Sequence, residues 1–166
     1  MNSKPICPPT ADLCDHHPNK VRQVRLPFRD FGGRTKFCGR IRTLVTLEDT
    51  SLAKQALYNT PGQGCVVVID GGGSDRSALL GDVNAALMAD NGWEGIIING
   101  AVRDSAALRH VDLGIKALTT SPVRSAKRGV GAVGVPLVFG GVLIEHDHYV
   151  YCDEDGVLVT DTPLEI

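Results

Sequence analysis

CVVVI at residues 65–69 and GIII at residues 95–98 are the two stretches that decide the fold. Each is rich in β-branched side chains and has glycine close by, a pattern typical of strands buried on both faces of a parallel sheet. Ligands of open α/β sheets collect at the carboxyl ends of such strands. The residues that follow the two stretches are therefore the first candidates for a functional site.

The chain between and around these strands predicts a mixed α/β fold. Apolar residues at helical spacing predict a helix over 77–90, which Asn91-Gly92 ends. Further predicted elements are a short helix capped by Thr10 and ended by Pro18, a strand over 37–47, a helix over 49–57, a helical segment over 104–110, and strands over 114–119, 136–144, 148–152 and 157–160, with a hairpin turn at 153–156. The order predicts one compact domain, 1–166, whose mixed sheet has parallel central strands and a β-rich C-terminal part.

Composition excludes several classes of protein. Hydrophobic residues make up 43% and charged residues 22% of 166 residues, as in a globular domain. With a net charge of −2 the chain lacks the broad basic surface of a nucleic-acid binder. The longest apolar stretch, 129–144, contains five glycines and a proline, so we expect no membrane span.

The cysteines and the N-terminus predict a cytoplasmic protein. Residues 1–18 lack the apolar core of a signal peptide. The five cysteines have no CxxC spacing and an odd count, which favours free thiols in a reducing compartment.

The strongest candidate site is Asp82, followed after twenty residues by Arg103 and Asp104. Aspartate is a hard oxygen ligand suited to Mg²⁺ or Mn²⁺, and arginine stabilises developing negative charge. Gly81 weakens a helix interior, so we interpret it as a place where the backbone approaches a ligand. The structural alternatives are an exposed helix acid at Asp82 and an internal Arg103–Asp104 pair that caps the next helix.

Other motifs carry weaker signals. The glycines at 71–73 match neither phosphate-loop pattern, and the GxGxxG at 129–134 runs into β-branched residues rather than a helix. His146 and His148 could share a strand face as metal ligands, but a polar bend is the favoured interpretation. Arg124, Lys127 and Arg128 form a small basic cluster, which we interpret as a solvated loop.

Several of these residues together resemble the RraA-like family, which joins 4-hydroxy-4-methyl-2-oxoglutarate aldolases to a regulator of ribonuclease E activity. The resemblance extends over nearly the whole chain. It is carried by residues 10–15 (TADLCD), 30–34 (DFGGR), 67–73 (VVIDGGG), 93–104 (WEGIIINGAVRD) and 139–142 (FGGV). The aldolase signature of the family is an acid, twenty residues, then Arg-Asp. Asp82, Arg103 and Asp104 match it, whereas the regulator branch typically lacks the second acid.

The resemblance implies a swivelling β/β/α-like fold and a class II, metal-dependent pyruvate aldolase. Asp104 would anchor a divalent metal, Mg²⁺ or Mn²⁺, and Arg103 would stabilise the pyruvate enolate. The backbone amides of residues 81–84, which are Gly81, Asp82, Val83 and Asn84, would hold the pyruvyl end of a small 2-oxo acid. Asp82 would act as acid or base through a water, and oxaloacetate decarboxylation would be a side activity.

The resemblance also implies a homotrimer, sometimes stacked as a hexamer, with sites near subunit interfaces. Two alternatives to the aldolase stay open. One is a non-enzymatic regulator that binds and inhibits ribonuclease E, and the other is a sensor that binds a 2-oxo acid without turnover.

Overall fold

Twelve strands and four short helices make up the part of the chain that the computed structural model describes, residues 3–166. The helices are α1 (Thr10–His16), α2 (Ser51–Ala53), α3 (Asp82–Asp90) and α4 (Ser105–Leu108), and a π-helical segment, Lys54–Tyr58, continues α2. The strands are β1 (Arg22–Gln23), β2 (Arg29–Asp30), β3 (Phe37–Val45), β4 (Cys65–Asp70), β5 (Ala78–Leu80), β6 (Gly95–Val102), β7 (Gly114–Thr120), β8 (Ala132–Val133), β9 (Leu137–Phe139), β10 (Val142–Ile144), β11 (Tyr149–Cys152) and β12 (Val157–Thr160).

Ten of these strands form one mixed sheet, in the order β1-β12-β11-β3-β4-β6-β7-β2. Strands β3, β4, β6 and β7 are parallel to one another, whereas β11, β12 and the edge strands β1 and β2 pair antiparallel. Strand β5 pairs with β6 and β8 pairs with β3, while β9 and β10 form a separate hairpin. The predicted fold class, with parallel central strands and a β-rich C-terminal part, is confirmed.

The central strands are buried on both faces, as their sequence predicts. In β4, Val67 and Ile69 join the core that packs under the helices, whereas Val66 and Val68 join the core under the β9–β10 hairpin. Alternate side chains of a strand point to opposite faces, so a continuous apolar run can fill two cores at once. The sheet is therefore the middle layer of the molecule, with helices on one face and the hairpin on the other.

The predicted helix over 77–90 is wrong in its first part. Residues 78–80 form strand β5, and helix α3 begins only at Asp82. The reason lies in the neighbouring strand: β4 pairs with β6 as far as Asp70 and Asn99, so the last residues of β6 lack a partner on that side. Strand β5 supplies it by pairing with Ala101 and Val102. The buried face of α3 is also different from the predicted one, because Ala85 and Met88 are buried while Val83 is exposed.

Smaller differences occur elsewhere in the chain. Thr10 was predicted to cap the first helix, but it is the first residue of α1 and its hydroxyl donates to Asp153 instead. The predicted strand over 136–144 is a hairpin of two strands, because Gly140 and Gly141 both adopt positive φ. The residues of strands β1, β2 and β8 were not predicted as strands. Each of the three is only two residues long, too short for a periodic pattern.

The expectation of free thiols is wrong for two of the five cysteines. Cys7 and Cys38 form a disulfide that ties the N-terminal segment to strand β3, while Cys14, Cys65 and Cys152 are free. Thirty-one residues separate the two bonded cysteines, so sequence spacing carried no sign of the pair. No helix within residues 3–166 is both long and apolar enough to cross a membrane.

Candidate active site

The predicted site residues meet at the carboxyl ends of two neighbouring parallel strands. Leu80 of β5 and Val102 of β6 are register partners, and the amide of Arg103 donates 2.9 Å to the carbonyl of Leu80. The residues that follow the two strands therefore emerge side by side. The amide of Asp82 donates to Oδ2 of Asp104 over 3.2 Å, which joins the backbone of one acidic residue to the carboxylate of the other.

Asp104 has an unusual backbone conformation that directs it away from a simple capping role. It lies in the left-handed region, with φ of 57° and ψ of 39°, where aspartate and asparagine are among the few non-glycine residues tolerated. Its carbonyl accepts the amides of Ala107 and Leu108. Within the described chain its side chain makes no capping bond to α4. The carboxylate is thus available to the site, contrary to the structural alternative of a helix cap.

Arg103 and Asp104 form a long, partly exposed ion pair. Nε of Arg103 lies 3.8 Å from Oδ2 of Asp104, and the two side chains are 32% and 40% exposed. An exposed contact of this length contributes little to stability. Both side chains keep polar atoms that a ligand can reach, which weakens the alternative of an internal structural pair.

Gly81 is needed because the site itself crowds it. It is the N-cap of α3 in an extended conformation, not an interior helix residue as predicted. A Cβ at this position would lie 2.8 Å from Oδ2 of Asp104 and 3.3 Å from Nε of Arg103. The structure shows a close approach at Gly81, but the groups that approach are the protein's own acid and guanidinium and not the ligand that we expected.

The first turn of α3 offers hydrogen-bond donors. The amide of Val83 donates a hydrogen bond of 2.8 Å to the carboxylate of Asp82, and the amide of Asp82 donates to the carboxylate of Asp104. The amides of Gly81 and Asn84 donate to no group within residues 3–166. Oδ1 of Asn84 is buried and has no partner there either. A helix N-terminus with unused donors is suited to a carboxylate.

These residues line a cleft of about 500 Å³, a volume within the usual range of roughly 300–1,000 Å³ for small-molecule sites. The predicted residues Gly81, Asp82, Val83, Asn84 and Arg103 are part of its wall. Asp104 contacts this wall through Asp82. The rest of the wall comes mainly from two other segments, with the polar residues Thr50, Ser51, Lys54, Gln55, Asn59, Arg124, Ser125 and Lys127.

Sequence analysis did not assign these additional residues to the site. Ser51, Lys54 and Gln55 have the i, i+3, i+4 spacing of one helix face, opposite the apolar Ala53 and Leu57, and that polar stripe was a usable signal. For the basic cluster at 124–128 the sequence predicts a solvated loop. Arg124 and Lys127 are indeed exposed, yet they also face the cleft.

The residues fit a weakly held divalent metal rather than a closed metal centre. No group of three His, Cys, Asp or Glu side chains within residues 3–166 could hold a metal ion. Mg²⁺ is commonly bound by one or two carboxylates, with waters and substrate oxygens completing its shell. Asp104 satisfies this requirement. His146 and His148 lie in the bend between β10 and β11, as favoured.

A sheet of this topology with an acid–arginine–acid site defines an RraA-type protein. The family model for RraA-like proteins, described as Aldolase/RraA, matches residues 10–159. The chain belongs to the RraA-like family.

Two relatives carry the provisional name 4-hydroxy-4-methyl-2-oxoglutarate aldolase. The protein from Aromatoleum aromaticum is 49% identical over 93% of this chain and 97% of its own length. The protein from Hahella chejuensis is 48% identical over 95% of both chains.

Solved structures with the same fold have other names. The RNA-processing inhibitor RraA from Thermus thermophilis has a TM-score of 0.92 at 41% identity, and 96% of each chain is covered. A structure from Geobacillus kaustophilus described as an S-adenosylmethionine:2-dimethylmenaquinone methyltransferase also has a TM-score of 0.92, at 44% identity, over 95% of this chain and 97% of its own. One fold thus carries three different names, so function has to be argued from the site.

Proposed function

We propose that the protein is a class II, divalent-metal-dependent aldolase that cleaves 4-hydroxy-4-methyl-2-oxoglutarate into two pyruvates. The observation that carries the proposal is the hydrogen bond from the amide of Asp82 to the carboxylate of Asp104, with Arg103 beside them and both Asp82 and Arg103 lining a cleft. The names of the aldolase relatives support the same chemistry.

The start of α3 would hold the pyruvyl carboxylate of the substrate. The unused amides of Gly81 and Asn84 are the first donors available to it. The amides of Asp82 and Val83 become free when the carboxylates that now accept them turn to other partners. Arg103 can add a charge-assisted hydrogen bond from the end of the neighbouring strand β6.

Asp104 would hold the metal, Mg²⁺ or Mn²⁺, largely through waters. When bound there, the metal supplies Lewis-acid stabilisation of the charge that develops on the 2-oxo group. Asp104 is suited to this role because its left-handed backbone turns the carboxylate away from helix α4 and towards the start of α3.

Asp82 would transfer the proton and Arg103 would stabilise the enolate. Asp82, acting through a water, accepts the proton of the C4 hydroxyl, and the C3–C4 bond then breaks to release one pyruvate and leave the enolate of the other. Arg103 offsets the charge on the enolate oxygen, and the proton returns to C3. Oxaloacetate yields the same enolate when it loses CO₂, so decarboxylation is proposed as a secondary activity.

We further propose that the protein is cytoplasmic and assembles as a homotrimer, with a hexamer as the larger alternative. Exposed apolar side chains support assembly: Val138 and Leu143 are register partners on the β9–β10 hairpin and are 70% and 48% exposed. Light scattering on the purified protein measures the state directly, and a monomer at micromolar concentration would contradict the assembly.

The test of the aldolase is pyruvate release from 4-hydroxy-4-methyl-2-oxoglutarate and from oxaloacetate, with Mg²⁺, with Mn²⁺ and with a chelator. Asp104→Asn is the informative variant because asparagine tolerates the left-handed backbone. We expect the rate of pyruvate release to fall at least about 100-fold, because loss of a residue that only supports a metal ligand can already cost that much. Asp90→Asn, on the exposed end of the same helix as Asp82, is the control. Metal-independent turnover that survives in Asp104→Asn would reject the site.

A second function is favoured by one specific finding, the likeness to an RNA-processing inhibitor at 41% identity. Under this alternative the protein binds and inhibits ribonuclease E without catalysis. A pull-down with purified nuclease, using wild type and Asp104→Asn, distinguishes the two functions. Tight binding that is indifferent to Asp104, without any turnover, would favour the regulator.

A further inference from the structure

Three cations line the same cleft as Asp82 and Arg103. They are Lys54 of the π-helical segment, and Arg124 and Lys127 of the loop between β7 and β8. None of them forms an ion pair with an acid within residues 3–166. Positive charges that gather around a cleft without a protein partner raise the local concentration of anions.

The loop that carries two of these cations is held in place on its β5 side. The amide of Ala78 donates 2.8 Å to the carbonyl of Val123, and the hydroxyl of Ser125 donates 2.7 Å to the carbonyl of Ala78. Ser125 also bonds the hydroxyl of Ser77, and both serines are buried. The backbone of Arg124, between these anchors, is thus held beside strand β5, and its exposed side chain lines the cleft.

The same loop is held on its other side by a buried acid. Asp49, 1% exposed, accepts hydrogen bonds from the amide of Arg128 and from the amide and hydroxyl of Ser51. The amide of Ala126 donates to the carbonyl of Glu48 over 2.8 Å, and the carbonyl of Ala126 accepts from the amide of Thr50 over 3.0 Å. Lys127, which lies between these contacts, is presented to the cleft by a loop that is anchored and not free.

A site that is already organised for an anion loses less entropy when the anion binds. The proposed substrate carries a carboxylate at each end. Arg103 and the amides of α3 serve one end, whereas the departing half, with its own carboxylate, needs a partner across the cleft. The cleft of about 500 Å³ is large enough to contain both ends.

We propose that Lys54, Arg124 and Lys127 form a second anion subsite, which binds the carboxylate of the departing half and makes the cleft select dicarboxylic over monocarboxylic 2-oxo acids. This inference rests on the proposed aldolase function for the identity of the substrate. Arg124 is the principal residue because its planar guanidinium can bind a carboxylate with two parallel hydrogen bonds. These residues bind and select the substrate and touch no reacting atom.

The experiment compares binding of 2-oxoglutarate, which has the distal carboxylate but no hydroxyl to permit cleavage, with binding of pyruvate. Calorimetry is done with Mg²⁺ on wild type, Arg124→Ala, Lys127→Ala and the double variant. We expect the affinity for 2-oxoglutarate to fall roughly tenfold per cation removed, as for a lost charged hydrogen bond. Affinity for pyruvate should change less than about twofold.

Arg128→Ala is the matched control, since it removes the same charge from the same loop but its side chain does not line the cleft. Arg124→Lys keeps the charge and should recover part of the lost affinity. Equal losses for both ligands, an equal effect of Arg128→Ala, or a wild type that binds 2-oxoglutarate no better than pyruvate would each overturn the subsite.

Kinetics separate the two proposals. If wild type cleaves 4-hydroxy-4-methyl-2-oxoglutarate and the double variant keeps its KM, the aldolase stands and the subsite is rejected. If wild type cleaves nothing but binds 2-oxoglutarate selectively through Arg124 and Lys127, the subsite stands and the aldolase is rejected.

Discussion

The backbone amide of Asp82 donates a hydrogen bond of 3.2 Å to Oδ2 of Asp104, which lies twenty-two residues further along the chain. The contact joins the first residue of α3 to the residue that precedes α4. It depends on the parallel pairing of β5 with β6, because that pairing ends both strands at the same edge. The geometry of the site is thus a property of the sheet.

Replacement of Gly81 by alanine should damage both the site and the fold. The new Cβ would lie 2.8 Å from the Asp104 carboxylate, so the acid or the start of α3 must move. We expect a loss of about 1–3 kcal/mol in the free energy of unfolding. Activity should fall at least about tenfold, because small displacements of catalytic groups are costly.

Urea unfolding and steady-state kinetics measure these two effects. Gly156→Ala is the control, since a Cβ there would meet nothing closer than 3.8 Å. That variant should stay within about 0.5 kcal/mol of wild type. A fully active Gly81→Ala protein would contradict the described packing of the site.

Removal of the Cys7–Cys38 disulfide should destabilise the oxidised protein. The bond joins two residues 31 positions apart in sequence. Its loss gives the unfolded chain more conformational entropy and should lower the free energy of unfolding by about 2–4 kcal/mol. Thermal unfolding of Cys7→Ser with and without dithiothreitol tests this. In reductant, the unfolding temperature of wild type should fall to that of the variant. Cys14→Ser removes an exposed free thiol and should unfold at the same temperature as wild type.

The ion pair of Lys116 and Asp30 should be costly to break on one side only. The two residues are cross-strand partners in β7 and β2, with Nζ 3.0 Å from Oδ1, and the lysine side chain is 3% exposed while that of Asp30 is 25% exposed. Asp30→Asn leaves the buried ammonium without its counter-charge, but water reaches the position of the acid, so the loss should be about 1–3 kcal/mol. In the double variant with Lys116→Met most of that loss should be recovered, and chemical denaturation measures both. An Asp30→Asn protein as stable as wild type would exclude the pair as a determinant of stability.

Asp153 should make the attachment of helix α1 sensitive to acid. Burial raises the pKa of this carboxyl, but hydrogen bonds from the amide and hydroxyl of Thr10, both at 2.7 Å, outweigh it and hold the pKa below its usual range. A lowered pKa in the folded state means that the stabilisation is present above the unfolded pKa of about 4 and is lost as pH falls below it.

Asp153→Asn should therefore cost about 1–3 kcal/mol at pH 7, the cost of weakening a buried hydrogen-bonded carboxylate. The difference between variant and wild type should shrink as pH falls from 5 towards 2. Urea unfolding at several pH values measures it. A difference that grows in acid would give the wrong sign and contradict the assignment.

Local sequence was enough for the central sheet and for the choice of candidate site residues. The β-branched runs of β4 and β6 predict buried parallel strands because an apolar run without alternation can only be satisfied when both faces are covered. Arg103 and Asp104 were candidates because they follow the second of these runs, whereas Asp82 lies in a segment that was predicted as a helix and was selected by its spacing of twenty residues from them. Hydrophobic pattern and chain order are local properties, so they can be read without the fold.

Tertiary structure alone decided how those residues meet. The apolar residues of 78–80 suit a helix or a strand, and only the unpaired end of β6 makes them a strand and moves the start of α3 to Asp82. Arg124 and Lys127 belong to the cleft because Asp49 and Ala78, both distant in sequence, anchor their loop. The Cys7–Cys38 pair likewise depends on contacts between segments far apart in sequence, which no local pattern encodes.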